Sequence, residues 1–379
     1  MVATKAPVPG IAPESELLLC CARTHVEARE MERLRELLQT NIDWQYVVQQ
    51  ASRHAVLPLL YWNLQRFCQD AVPEPILEHL HHAFHAQARH SLLLNSTLLS
   101  LLSLFEAHGI PALPYKGPVL AAVAYGNLLW RQFSDLDLLV PPHELRRAQE
   151  LLLARGYRQI PPLHAQPGRL SETFQKLYER LRDTCRKVCE LVSADGQVIV
   201  ELHSQITSWT FFFPLEPAYL WKCCETTILT GVPVRNLPPE ETLLILCVHG
   251  AKHRWWRLGW ICDIAELLRA HPHLNWHRVM EEGDRRGGRR MLLLGLLLAH
   301  GLLGALVPPD IARRMAADRH VVWLAAKVRE QLFMPTEHDC AAVERPFFFL
   351  RLRERLRDKV RSSGYLAYYY TIRYGLLGS

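Results

Sequence analysis

Two aspartates one residue apart, Asp135 and Asp137 in the run RQFSDLDLLV (residues 131–140), are the side chains of this sequence best spaced to do chemistry. In an extended strand side chains alternate, so both acids leave one face while Leu136, Leu138 and Val140 leave the other. The result is a ledge of two carboxylates on an apolar backing. Hard divalent cations such as Mg²⁺ take oxygen ligands and keep several waters, and a carboxylate pair plus substrate phosphates is their usual enzymatic site. The chemistry indicated is phosphoryl or nucleotidyl transfer assisted by Mg²⁺ or Mn²⁺.

A bare Asp-x-Asp is common by chance, so its neighbours matter. A strand-like run from Ile110 to Tyr115 ends in Lys116-Gly117. Glycine there permits the tight turn and close backbone approach that a phosphate needs. Residues 118–124 (PVLAAVA) then read as a helix with proline near its first turn. A helix N-terminus beside a lysine suits a triphosphate. Further on, residues 187–192 and 197–203 flank Ala194-Asp195-Gly196, a hairpin signal. In its second strand Gln197, Ile199, Glu201 and His203 share a face, opposite Val198, Val200 and Leu202. Glu201 is therefore a candidate third carboxylate, with His203 on its flank.

These strands sit between helical stretches. Apolar residues recur at three and four through residues 15–108, with Pro73 and Pro75 as punctuation and Gly109 as the stop. The expected organisation is a helical N-terminal section (1–108), an α/β core (109–215) and a helical C-terminal domain (216–379). In that last part His249 and His253 lie at i and i+4, without the glutamate of an H-E-x-x-H zinc motif. With Lys252, Arg254 and Trp255, Trp256 and Trp260, they are candidates to line a nucleotide or acceptor cleft. The competing reading is a packed bundle helix with Asp263 pairing a histidine. His79, His81, His82, His85 and His90 are spread by helical spacing around more than one face, as a solvated surface would be. The aromatic run at residues 365–374 is expected to dock on the bundle.

Whole-chain properties narrow the class. The chain has 379 residues and a formal net charge of +6, with no long basic block, so nucleic acid is not the expected partner. Ten cysteines without a C-x-x-C pair read as reduced, buried thiols of a cytoplasmic protein. The first residues, MVATKAPVPG, lack the apolar core of a secretory signal. The apolar run at 291–307 is short, contains three glycines and ends at Pro308-Pro309, so it reads as a buried helix and no transmembrane segment is expected.

A strand, a small-residue turn, a helix, Asp-x-Asp and a later third carboxylate together resemble the DNA polymerase β-like nucleotidyltransferase superfamily. More closely, YKGPVLAAVAYGNLLWRQFSDLDLLV, VIVELHSQI and LLILCVHGAKHRWWRLGWICDIAELL resemble a bacterial family of uncharacterised nucleotidyltransferases with Lys-Gly in place of Gly-Ser. The likeness runs over about residues 15–270. It implies an α+β fold, a mixed sheet with helices, flanked by N- and C-terminal helical sections. It also implies Asp135, Asp137 and Glu201 as catalytic metal carboxylates and Lys116, Gly117, Arg131 and Ser134 around the nucleotide. His203, His249, Lys252 and His253 would line the cleft. A nucleoside triphosphate would donate its nucleotidyl group to a small-molecule, sugar or peptide acceptor. Two departures are evident: Pro118 replaces the usual serine, and Glu201 stands where aspartate is commoner. They leave as the rival reading a nucleotide-binding or interaction module that keeps the fold with a weakened site.

Overall fold

The computed structural model describes residues 12–160, 188–206, 213–334 and 344–360. The chain is α+β, a mixed five-stranded sheet with helices before and after it. Residues 365–374, whose aromatic run was expected to dock on the bundle, lie outside the described part.

Four helices open the chain: α1 (Pro13–Cys21), α2 (Ala28–Leu38), α3 (Trp44–Arg53) and α4 (Leu57–Phe67). The longest described helix, α5 (Glu74–Ala107), follows and runs about 50 Å at 1.5 Å per residue. Its N-terminal half contributes Leu80 and Phe84 to the helical core, and its C-terminal half lays Leu94, Leu98, Leu101 and Phe105 against the sheet. One rigid rod thus ties the two cores together. The histidines of its first half stay on the surface, His79, His81, His82 and His85 being exposed.

The sheet has the order β1-β2-β5-β4-β3, with β1 (Leu113–Pro114), β2 (Asp135–Leu139), β3 (Arg158–Gln159), β4 (Val188–Val192) and β5 (Ile199–His203). Only β2 and β5 are parallel; the other pairings are antiparallel. β1 is shorter than the expected 110–115 run because Pro111 and Pro114 have no N–H to give a ladder, which confines it to a two-residue edge strand. Leu136 and Leu138 of β2 with Val140 just after it, and Val200 and Leu202 of β5 with Val198 just before it, enter one core together with Leu145, Ala148 and Leu152 of α7 (Leu145–Ala154). The alternation expected from sequence holds on both strands. Between β1 and β2, α6 (Gly117–Leu120) continues into a π-helical turn, Ala121–Tyr125, that ends at left-handed Gly126.

After α8 (Pro217–Cys223), where helices were expected throughout, the chain forms an antiparallel hairpin of β6 (Glu225–Leu229) and β7 (Val232–Asn236). Its two-residue turn, Thr230-Gly231, has φ of 48° and 86°, the left-handed pair that matches strand twist. Leu229 and Val234 are buried in the sheet's core, which is why the hairpin stays.

The remaining helices are α9 (Pro239–Lys252), α10 (Leu258–Ala270), α11 (Trp276–Arg286), α12 (Arg289–Leu303), α13 (Pro309–Ala317), α14 (Arg319–Leu332) and α15 (Glu344–Leu352). α12 holds most of the apolar run and is buried, packed on α9, α10 and α14. Among the described residues no helix is long and apolar enough to cross a membrane. Leu17, Leu34 and Leu60 from the front helices share a single core with Ile261, Leu294 and Leu324 from the rear ones.

Candidate active site

Register places the acids. The parallel pairing of β2 with β5 sets Asp137 beside Glu201 and Leu139 beside His203, and antiparallel β4 sets Glu190 opposite Glu201. Asp137, Glu201 and Glu190 therefore form a row across three adjacent strands. Asp137 is 5% exposed, so it needs partners. Its Oδ1 accepts hydrogen bonds from the Tyr115 hydroxyl (3.2 Å), Lys116 Nζ (3.2 Å) and His203 Nε2 (3.1 Å). The same Nε2 lies 3.0 Å from Glu201 Oε2. Both neighbours are carboxylates, which assigns the proton to Nε2 and leaves His203 bridging them. His203 Nδ1 is buried and makes no hydrogen bond among the described residues.

The Lys-Gly turn braces this ledge. Gly117 has a φ of +54°, and a Cβ there would stand 3.4 Å from the Asp135 carbonyl oxygen, so left-handed backbone is pressed against the start of β2. Lys116 turns its ammonium to Asp137, with its side chain largely buried. Ser134 is exposed at the edge of the ledge, and Asp135 is partly buried.

Burial alone would raise the Asp137 carboxyl, but the Lys116 charge and the His203 hydrogen bond overcome it and hold it well below the usual range. Asp135 goes the other way. Burial pushes it up to about 6, with the charges of Asp137 and Glu201 adding to the rise. Burial would lower His203, yet its bonds to Asp137 and Glu201 raise it. Burial and the Asp137 charge also keep the Tyr115 phenol protonated. One acid firmly ionised beside another easily protonated is a pair waiting for positive charge.

A second wall faces these acids from the end of α9. His249, Lys252 and His253 lie at i, i+3 and i+4, on one side of that helix. The two imidazoles are 4.7 Å apart, and each ring is 5.1 Å from Trp260 on α10. Burial and then Lys116 hold His249 well below an ordinary histidine, and burial with Lys252 takes His253 down to about 3. The corner after α9 is strained: Arg254 and Trp255 are consecutive left-handed residues that are not glycine (φ 53° and 58°), costing roughly 1–2 kcal/mol each. Trp255 holds it in place. Its ring lies on Gly250, where a Cβ would meet it at 2.3 Å, and on Gly295, at 3.0 Å.

Arg131, expected around the nucleotide, is engaged by a buried acid through two of its nitrogens. It makes a two-point bond to Asp263 of α10, Nε to Oδ1 at 2.7 Å and Nη2 to Oδ2 at 2.9 Å, and Tyr125 donates to Oδ1 at 2.7 Å. Asp263 thus pairs an arginine, not the histidine considered from sequence. Arg131 keeps electrostatic contact with Asp135, whose carboxyl it lowers. It ties the loop before β2 to α10. Tyr115, Tyr125, Glu190 and Asp263 are site or supporting residues that sequence reasoning did not assign there.

The donor set fits a divalent cation. Asp137, Glu201 and His203 offer ligand atoms that all lie within 4.8 Å of one another. The Asp137–His203 and His203–Glu201 separations of 3.1 and 3.0 Å are hydrogen bonds through the Nε2 proton, so a cation ligated there by nitrogen would displace that proton. Asp135 lies on the same face but outside this converging group.

An α+β fold with acids converging beside a Lys-Gly turn is the arrangement expected of a nucleotidyl-transferring enzyme. The model of the uncharacterised nucleotidyltransferase family matches residues 40–304, and the chain belongs to that family. It is a nucleotidyltransferase, with a nucleotide as substrate. No curated protein and no solved structure matches the chain.

Proposed function

We propose that this protein moves a nucleoside monophosphate from a nucleoside triphosphate to a hydroxyl of a small-molecule, sugar or peptide acceptor, with release of pyrophosphate. The observation that carries this reading is the convergence of Asp137, Glu201 and His203 across the parallel β2–β5 pair. Asp137 and Glu201, with His203 or Asp135 completing the set, would hold Mg²⁺ or Mn²⁺. A cation so held supplies charge neutralisation at the reacting phosphate.

The chain's own groups do the rest. Tyr115 and Lys116 fix Asp137 Oδ1, so the carboxylate is held in place before substrate arrives. Glu201 Oε2 is engaged by His203, and its other oxygen, Oε1, takes the proton of the attacking hydroxyl. His203, already bonded to that carboxylate, keeps it oriented. The Gly117 turn gives phosphate oxygens close access to backbone. The Arg131–Asp263 bond holds the loop that delivers Asp135.

The test compares triphosphates labelled at the α- and the γ-phosphate, offered with a mixed pool of hydroxyl acceptors. α-Label should enter product with one pyrophosphate per turnover. Transfer of γ-label instead would make the enzyme a kinase and overturn the reading.

A further inference from the structure

A triphosphate needs cationic neighbours, and the expected one is already engaged. Lys116 Nζ sits 3.2 Å from Asp137 Oδ1 with its side chain 14% exposed, so it serves a carboxylate that is itself part of the site. Across from it, Lys252 ends α9 on the side shared by His249 and His253, and it makes neither an ion pair nor a hydrogen bond among the described residues. It is solvent-exposed. The geometry that sets this end of α9 beside the acids runs through α10: Trp260 touches both His249 and His253, and Asp263 one turn on is bonded to Arg131 of the loop before β2, and Glu201, Asp137 and Glu190 lie within electrostatic reach of Lys252. The corner that follows it is fixed, since the left-handed Arg254-Trp255 pair is locked by the Trp255 ring on Gly250 and Gly295. That lock sets where α9 ends and so where Lys252 stands.

We propose that Lys252 is the cation that meets the terminal phosphates of the triphosphate, while Lys116 holds Asp137 in place. This rests on the nucleotidyltransferase reading above and names which residue takes the polyphosphate tail. His249 and His253 beside it are kept neutral by burial and bring no carboxylate that would pair with Lys252. The competing account is that a lysine in a last helical turn merely balances the helix dipole. Under that account its loss lowers stability and leaves phosphate binding unchanged.

The experiment is calorimetric titration of the full chain, with Mg²⁺ present, using inorganic tripolyphosphate as a probe that needs no particular base and AMP as the tail-free control. Lys252→Met should weaken tripolyphosphate by roughly 10- to 100-fold, the worth of one charge-assisted hydrogen bond. AMP affinity and melting temperature should stay as in wild type, and Lys252→Arg should restore most of the loss. Lys116→Met should affect tripolyphosphate less than Lys252→Met does. Unchanged tripolyphosphate affinity in Lys252→Met, equal weakening of AMP, or a larger loss in Lys116→Met would each overturn the assignment. If wild type binds both probes and Lys252→Met leaves both affinities unchanged, this proposal fails alone. If wild type binds neither, the nucleotidyltransferase reading of this cleft fails with it.

Discussion

His54 makes the stability of this protein depend on pH in a way that can be worked through. It is fully buried at the end of α3, its Nδ1 accepts the Leu258 N–H at 3.2 Å, and its carbonyl accepts the Gly259 N–H at 2.9 Å. Those two bonds hold the start of α10, the helix that carries Trp260 and Asp263. An Nδ1 that accepts must be unprotonated, and burial lowers this imidazole from 6.5 to about 3, with Arg53 adding to the fall. The folded pKa is depressed, so the unfolded chain takes up a proton first. The stabilisation is complete above pH 6.5 and is lost as pH falls from there toward 3. From those two values the loss is about 1.4 kcal/mol at pH 5.5 and about 2.7 kcal/mol at pH 4.5. His54→Asn keeps an acceptor near the Nδ1 position and does not titrate. Urea unfolding of both proteins at pH 7.5, 5.5 and 4.5 should show the stability gap between wild type and variant shrinking by those amounts. A gap independent of pH would refute the reasoning, because it would mean that His54 charges equally in both states.

Other substitutions probe the supports of the site. Asp263→Asn leaves the largely buried Arg131 guanidinium without its counter-charge and should cost about 3–5 kcal/mol, read by denaturant unfolding; a change near zero would mean that the pair is solvated. Gly250→Ala puts a Cβ into the Trp255 ring and should cost about 1–3 kcal/mol with a shift in tryptophan fluorescence, whereas an unperturbed spectrum would mean that the ring is not seated there. Glu201→Gln should lower kcat by ~10²–10⁴-fold with nucleotide binding largely kept. Wild-type turnover in that variant, under conditions where Asp137→Ala is inactive, would remove Glu201 as the base.

Strand alternation made the acid ledge readable, because Asp135 and Asp137 on one face and Leu136, Leu138 and Val140 on the other leave a single way to bury β2. The same logic, plus the turn after Val192, placed Glu201 and His203 together. Glu190 was within reach of that reasoning, since the hairpin register that fixes Glu201 also fixes its partner. The Thr230-Gly231 turn is a similar local signal, absent from a reading that took residues 216–379 as helical throughout. What sequence could not give is long-range. The union of Arg131 with Asp263, 132 positions away, depends on how α10 packs against the loop before β2. The shared core of the first and last helices depends on packing too. Lys116 facing Asp137 depends on the path of the turn between them, which motif spacing does not encode.

Nucleotidyl transfer by this protein depends on a cation held by Asp137 and Glu201, with His203 or Asp135 completing the set. Anomalous diffraction from crystals soaked with Mn²⁺ and a non-hydrolysable triphosphate tests it most directly. A Mn²⁺ peak should contact carboxylate oxygens of both Asp137 and Glu201 and be absent in Asp137→Asn crystals under the same soak. A nucleotide bound in the cleft with Mn²⁺ away from both carboxylates, or a peak that persists in Asp137→Asn, would contradict it.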